Sequence, residues 1–88
     1  MAERRVAVAS AEGLHARPAA QFVKAATESG VAVTIGKAGT DGRADARSIL
    51  AVLALDVRHG DEVVLRADGD GADDALDRLV EFLSDVRV

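Results

Sequence analysis

His15 and Arg17 stand two residues apart, directly ahead of the chain's one proline, in the run Gly13-Leu14-His15-Ala16-Arg17-Pro18-Ala19-Ala20. Proline breaks a helix interior but is tolerated in a first turn, where backbone N–H groups lack partners anyway. Pro18 therefore predicts a helix that begins immediately after His15. The imidazole then sits at the helix mouth beside the free N–H groups of Ala16 and Arg17, where unpaired donors and the positive end of the helix dipole coincide. Arg17 adds a guanidinium able to hold two phosphate oxygens at once. A nucleophilic ring nitrogen, a fixed cation and a backbone anion nest thus fall within three residues. Phosphoryl transfer is mostly positioning and charge stabilisation, and this set suits it. The same residues also fit a capping or solvated histidine with an arginine close by, and spacing alone leaves both readings open.

The remaining candidates are weaker. His59, the second histidine, reads as a solvent-exposed loop residue in Arg58-His59-Gly60, and two histidines without cysteine make a poor metal set. The acidic run Asp68-Gly69-Asp70-Gly71-Ala72-Asp73-Asp74 has Ala72 where a calcium loop needs its third ligand, and no glutamate closes it. Acidic residues ahead of a helix N-terminus explain it better. Gly39-Thr40-Asp41-Gly42 lacks the lysine and spacing of a P-loop, and no Gly-x-Ser-x-Gly elbow exists. No metal or cofactor is expected.

The elements that must position His15 follow from periodicity. Arg5 to Ser10 alternates as a first strand, with Val6 and Val8 on one side. From Ala16 the period changes, and Ala19, Phe22, Val23 and Ala26 form a helical stripe that Gly30 stops. Val31, Val33 and Ile35 form a second strand, and Arg43 to Ala46 a short return strand after the turn-rich Gly36 to Gly42. Ser48 stands where an N-cap would, ahead of an apolar run to Leu55. Asp56 to Asp61 reads as a loop and Glu62 to Ala67 as a further strand. Leu76, Leu79, Val80 and Leu83 line a final amphipathic helix. The order is βαββαβα, an α+β class in which helices cover one face of a small sheet.

Length and composition narrow the function classes. Eighty-eight residues make one domain, 1–88, whose thin core can hardly enclose a deep pocket. A net charge of −4, with no Tyr or Trp to stack on bases, argues against nucleic acid. The absence of cysteine fits a reducing cytoplasm. Met1 to Arg5 shows no apolar signal core, and the longest apolar run, Ile49 to Leu55, is seven residues against the ~20 of a membrane helix. No membrane association is expected. That run has no polar face: Ile49, Leu50 and Leu53 fall on one side of a helix, Val52 and Leu55 on the other. In a two-layer domain one side meets the sheet, so the other is expected to meet a partner, unless the helix is wholly buried.

The stretch Gly13 to Lys24, GLHARPAAQFVK, closely resembles the active-site signature of the histidine-containing phosphocarrier (HPr) family of the bacterial phosphoenolpyruvate–sugar phosphotransferase system. The resemblance continues through Arg47-Ser48-Ile49-Leu50, similar to that family's regulatory serine segment, and into the closing helix. It implies an open-faced two-layer sandwich, a four-stranded antiparallel sheet with three helices on one face. It also implies that His15 accepts a phosphoryl group on Nδ1 from phospho-enzyme I and passes it to enzyme IIA of a sugar permease, with Arg17 stabilising charge. Such a protein is a monomeric stoichiometric carrier, not an enzyme. By the same resemblance Ser48 is a regulatory phosphorylation site, open to an HPr kinase and to recognition by a transcription regulator. The docking surface comprises Ala16, Ala20, Arg47, Ile49, Leu50 and Leu53.

Two rival functions are a regulatory module working mainly through Ser48 and docking, and a ligand-sensing domain serving an enzyme. His15 with Arg17 argues against the first, and small size with few aromatics against the second. Two departures from the family pattern stand out. The segment between the second strand and Ser48 is longer than in familiar members. Asp56 also replaces the glycine common after the second helix, which alters that helix end and puts a carboxylate near the docking face.

Overall fold

The structure is a computed structural model that describes residues 2–86. Its elements run β1 (Ala2–Ala7), α1 (Ala16–Glu28), β2 (Val33–Lys37), β3 (Ala44–Asp45), α2 (Ile49–Ala54), β4 (Glu62–Ala67) and α3 (Ala72–Leu83). The strands form one sheet in the order β1-β4-β2-β3, with every neighbouring pair antiparallel. This is the expected βαββαβα open-faced sandwich.

The alternation of β4 shows how the layers separate. Val63, Leu65 and Ala67 are buried toward the helices, while Glu62 and Arg66 lie on the open face. Opposite them, Val33 and Ile35 of β2 join the same core. The helices complete it with Phe22, Ala26, Val52, Leu76, Leu79 and Leu83. The two phenylalanines, Phe22 of α1 and Phe82 of α3, meet with ring centroids 6.3 Å apart and planes tilted by 45°. That geometry suits the aromatic quadrupole and joins the two long helices.

β1 differs from its expected span. It starts at Ala2 and leaves the ladder after Ala7, although Val8 still packs in the core. Its charged residues disguise it. Arg4 faces the helices, where its guanidinium bonds Asp73 and Asp77 of α3 at 3.0 and 3.1 Å. Glu3 and Arg5 pair across the open face with Arg66 and Glu62 of β4. Partners in β4 set the register here, so hydropathy gives no clue to the start. β2 likewise begins at Val33, not Val31, and β3 shrinks to two residues after the long turn.

The helix ends follow local chemistry. Gly30 ends α1 at φ +71°, with its N–H on the Thr27 carbonyl at 3.2 Å. Asp73 and Asp74 occupy the first turn of α3, so part of the acidic run compensates the helix dipole as expected.

Candidate functional site

Two loops meet at one edge of the domain: residues 8–15 between β1 and α1, and residues 55–61 between α2 and β4. Backbone bonds tie them together. Gly60 N–H donates to the Val8 carbonyl at 2.8 Å, Val8 N–H to the Asp61 carbonyl at 2.9 Å, and Leu14 N–H to the Val57 carbonyl at 2.9 Å. The side chains of Leu14 and Val57 are fully buried beneath the junction. Gly13 makes the close approach possible. It sits at φ +64°, and a Cβ there would lie 2.3 Å from the Val57 carbonyl oxygen.

His15 leaves this junction in extended backbone (φ −125°, ψ 162°) as the N-cap of α1. Ala16 follows at φ 53°, a left-handed value that costs an L-residue about 1–2 kcal/mol and turns the chain sharply into the helix. Pro18 and Ala19 are buried just beyond, so Pro18 takes the first-turn position predicted for it. The His15 side chain makes no cap hydrogen bond, and the first turn of α1 holds no acidic residue. Arg17 is exposed and has no partner among the described residues. The helix mouth therefore keeps its positive character, with the imidazole beside it and a guanidinium two residues on.

The half-exposed His15 ring turns toward Asp56, with Nε2 3.1 Å from Oδ1. Asp56 comes directly after the C-cap of α2 and has φ 52°, the conformation a glycine would adopt. Arg58 holds the other carboxylate oxygen, Oδ2, through Nη2 at 3.0 Å and Nε at 3.3 Å. These hydrogen bonds, with the charges of Arg58, His15 and Lys37, hold the Asp56 carboxyl below the usual carboxylate range despite some desolvation. Asp56 is thus an anion at neutral pH. The expected departure at this helix end lies in the site itself, and no periodicity links it to His15.

His59 is exposed, but it is more than a bare loop residue. Its Nδ1 lies 3.2 Å from the Ser10 carbonyl, which can only accept, so the Nδ1–H tautomer donates a hydrogen bond there. The ring thus links the second loop to the first at Ser10.

At the other end of α2, Ser48 is the N-cap foreseen from its position. It has φ −107° and ψ 110°, and its Oγ accepts from the Ala51 N–H at 3.3 Å. Val52 is wholly buried, Leu53 half-buried, and Ile49 and Leu50 are 37% and 78% exposed. The apolar run therefore has an outer side, and burial of the whole helix is excluded. Ala16 and Ala20, one turn apart on α1, are also exposed, and α1 packs against α2. Arg47 is turned back onto Asp45, with Nε at 3.1 Å from Oδ1 and Nη2 at 3.2 Å from Oδ2. Among the described residues no cluster of three or more His, Cys, Asp or Glu side chains could hold a metal, and no helix is long and apolar enough to cross a membrane.

Comparison with known proteins agrees with this fold. Residues 2–85 match the family described as the PTS HPr component phosphorylation site. The chain is 56% identical to the phosphocarrier protein HPr of Streptomyces coelicolor, across 97% of this chain and 90% of that protein. It is 46% identical to the phosphocarrier protein HPr of Haloferax volcanii, across 93% and 92%. Among solved structures, an HPr from Thermoanaerobacter tengcongensis superposes with a TM-score of 0.88 at 34% identity, across 94% of this chain and 91% of that one.

Proposed function

The chain belongs to the HPr family of phosphocarriers, components of the phosphotransferase system, and from that membership we propose that His15 is the residue that carries the phosphoryl group. The observation that supports this most is the helix mouth: an imidazole at an uncapped N-terminus with no acidic side chain in its first turn. Nδ1 is the nitrogen turned to acceptance, since Nε2 lies against Asp56. Arg17 holds the oxygens of the transferring group, and the lack of a partner for it among the described residues leaves it available for that task. The donor is phospho-enzyme I and the acceptor an enzyme IIA, which makes this protein a stoichiometric carrier without turnover of its own. Both dock on the surface that includes Ala16, Ala20, Arg47, Ile49, Leu50 and Leu53, whose apolar centre at Leu50 is open to solvent.

The test is to incubate the protein with phosphoenolpyruvate and enzyme I and to measure acid-labile phosphate. Wild type and His59→Ala label equally, and His15→Ala does not label while keeping its circular dichroism. Undiminished labelling of His15→Ala would remove His15 from the role.

A regulatory role at Ser48 accompanies this reading. The serine opens α2 beside exposed Ile49 and Leu50, so a phosphate added there changes the docking surface directly.

A further inference from the structure

Asp56 breaks two local rules at once. It holds a left-handed backbone angle that glycine adopts freely, and it places a carboxylate just past the C-terminus of α2, where free carbonyls already form the negative pole. Glycine would be better on both counts. Residues that violate local preference are expected where a site needs them. The gain at Asp56 is visible in its two oxygens. Arg58 fixes Oδ2, and Oδ1 is left 3.1 Å from His15 Nε2.

The relative placement of the two residues is set by backbone and not by side-chain chance. The Leu14 N–H bond to Val57 and the packing of Gly13 on Val57 and Arg58 join the residue before His15 to the residue after Asp56. A carboxylate held at that distance favours whichever ring tautomer presents it with an N–H.

We infer that Asp56 is a positioning residue for His15, whose carboxylate keeps the ring proton on Nε2 and thereby presents the Nδ1 lone pair to the incoming phosphoryl group. The inference rests on His15 being the acceptor. In the transfer, the Nδ1 lone pair forms the new N–P bond while the donor's bond to phosphorus breaks, and that electron pair leaves on the donor atom. The Nε2 proton does not move, so the ring becomes a cation as it loads. The Asp56 anion opposes that charge from the far side of the ring. An aspartate behind a nucleophile-activating histidine has the same logic in hydrolases.

The experiment uses Asp56→Gly, which suits the φ of 52° and should melt no lower than wild type. Ring-nitrogen NMR of the unphosphorylated protein, at a pH where the ring is neutral, reads the tautomer directly, with His59 as an internal reference. Wild type shows His15 mainly as the Nε2–H form, and Asp56→Gly shifts it toward a mixture. The maximal rate of acceptance from phospho-enzyme I falls about 3–10-fold in Asp56→Gly with little change in the Michaelis constant, a modest loss because the pair is half-exposed. Asp56→Asn, which keeps an acceptor oxygen without the charge, lies between the two. An unchanged tautomer ratio overturns the inference, as does a raised Michaelis constant with an unchanged maximal rate. Failure of the wild type to label at all would instead sink the carrier reading, and the tautomer measurement, which needs no enzyme I, would still decide the role of Asp56.

Discussion

Two helices of this domain open on a polar residue in extended backbone, and they use it in opposite ways. At α2 the Ser48 hydroxyl turns inward and accepts from the Ala51 N–H, so the helix is capped by its own first side chain. At α1 the His15 ring turns away from the helix toward Asp56 and leaves the mouth uncapped. The α1 helix tolerates this because its packing is strong: Pro18, Ala19, Phe22 and Ala26 are all buried. α2 has six residues and only Val52 fully buried, so it depends more on its cap. A side chain that satisfies its own backbone is anchored, and one freed from that duty can react. The two mouths lie at opposite ends of α2, a helix of six residues and roughly 9 Å in length.

The sharpest test of the uncapped mouth is Arg17→Ala. If the guanidinium bears on charge in the transferring group, its loss should remove on the order of 2–4 kcal/mol of transition-state stabilisation, a rate loss of roughly 30- to 1000-fold. Single-turnover transfer from phospho-enzyme I measures it, and melting should be unchanged because the side chain is exposed and has no partner among the described residues. A raised Michaelis constant with an unaltered maximal rate would make Arg17 a docking residue only. Next in size is Gly13→Ala. The added methyl would meet the Val57 carbonyl at 2.3 Å on a backbone with φ +64°. A destabilisation of about 2–3 kcal/mol is expected, or a drop of roughly 8–24 °C in melting temperature. If the protein melts normally, the junction that holds His15 against Asp56 is softer than its geometry implies.

A pair of alanine substitutions then compares the mouths directly. Ser48→Ala removes a working cap and should cost about 1 kcal/mol of stability. His15→Ala removes a residue that caps nothing and should stay within roughly 0.5 kcal/mol of wild type. Urea denaturation of both variants gives the contrast, and equal losses would mean that the His15 side chain supports the helix after all.

Much of this arrangement was legible in sequence because it depends on near neighbours. Pro18 fixed the start of α1, Ser48 the start of α2, and the alternation of Glu62–Ala67 the full span of β4. What escaped depends on distant partners. The beginning of β1 is hidden by Glu3, Arg4 and Arg5, whose charges are matched only once β4 and α3 are in place. The left-handed angle at Ala16 carries no signal, since alanine is not a residue that favours it. Asp56 could be flagged as an oddity after α2, but its pairing with His15 exists only because the two loops are stitched through Val57.

The smallest expected effect, and the one that joins the two mouths, is that of Ser48→Asp on acceptance at His15. Aspartate is as good an N-cap as serine, and its charge lies at the positive pole of α2, so stability should be preserved. Arg47 is already engaged by Asp45, whose carboxyl that pairing holds below the usual range, so its guanidinium is a poor neutraliser of a new charge nearby. The added negative charge therefore remains beside Ile49 and Leu50, on the surface proposed for docking. A partner covering that surface must desolvate the charge or face it with its own acidic groups, so association weakens while the His15 chemistry is left alone. For one exposed charge the loss should be on the order of 2–5-fold, confined to the Michaelis constant and relieved by added salt. Phosphoserine, with about two charges, should do more in the same sense. The discriminating measurement is steady-state labelling of Ser48→Asp at two ionic strengths beside its melting curve. A lowered maximal rate would mean that the two ends of α2 communicate, and unchanged labelling with a normal melt would reduce Ser48 to a structural cap.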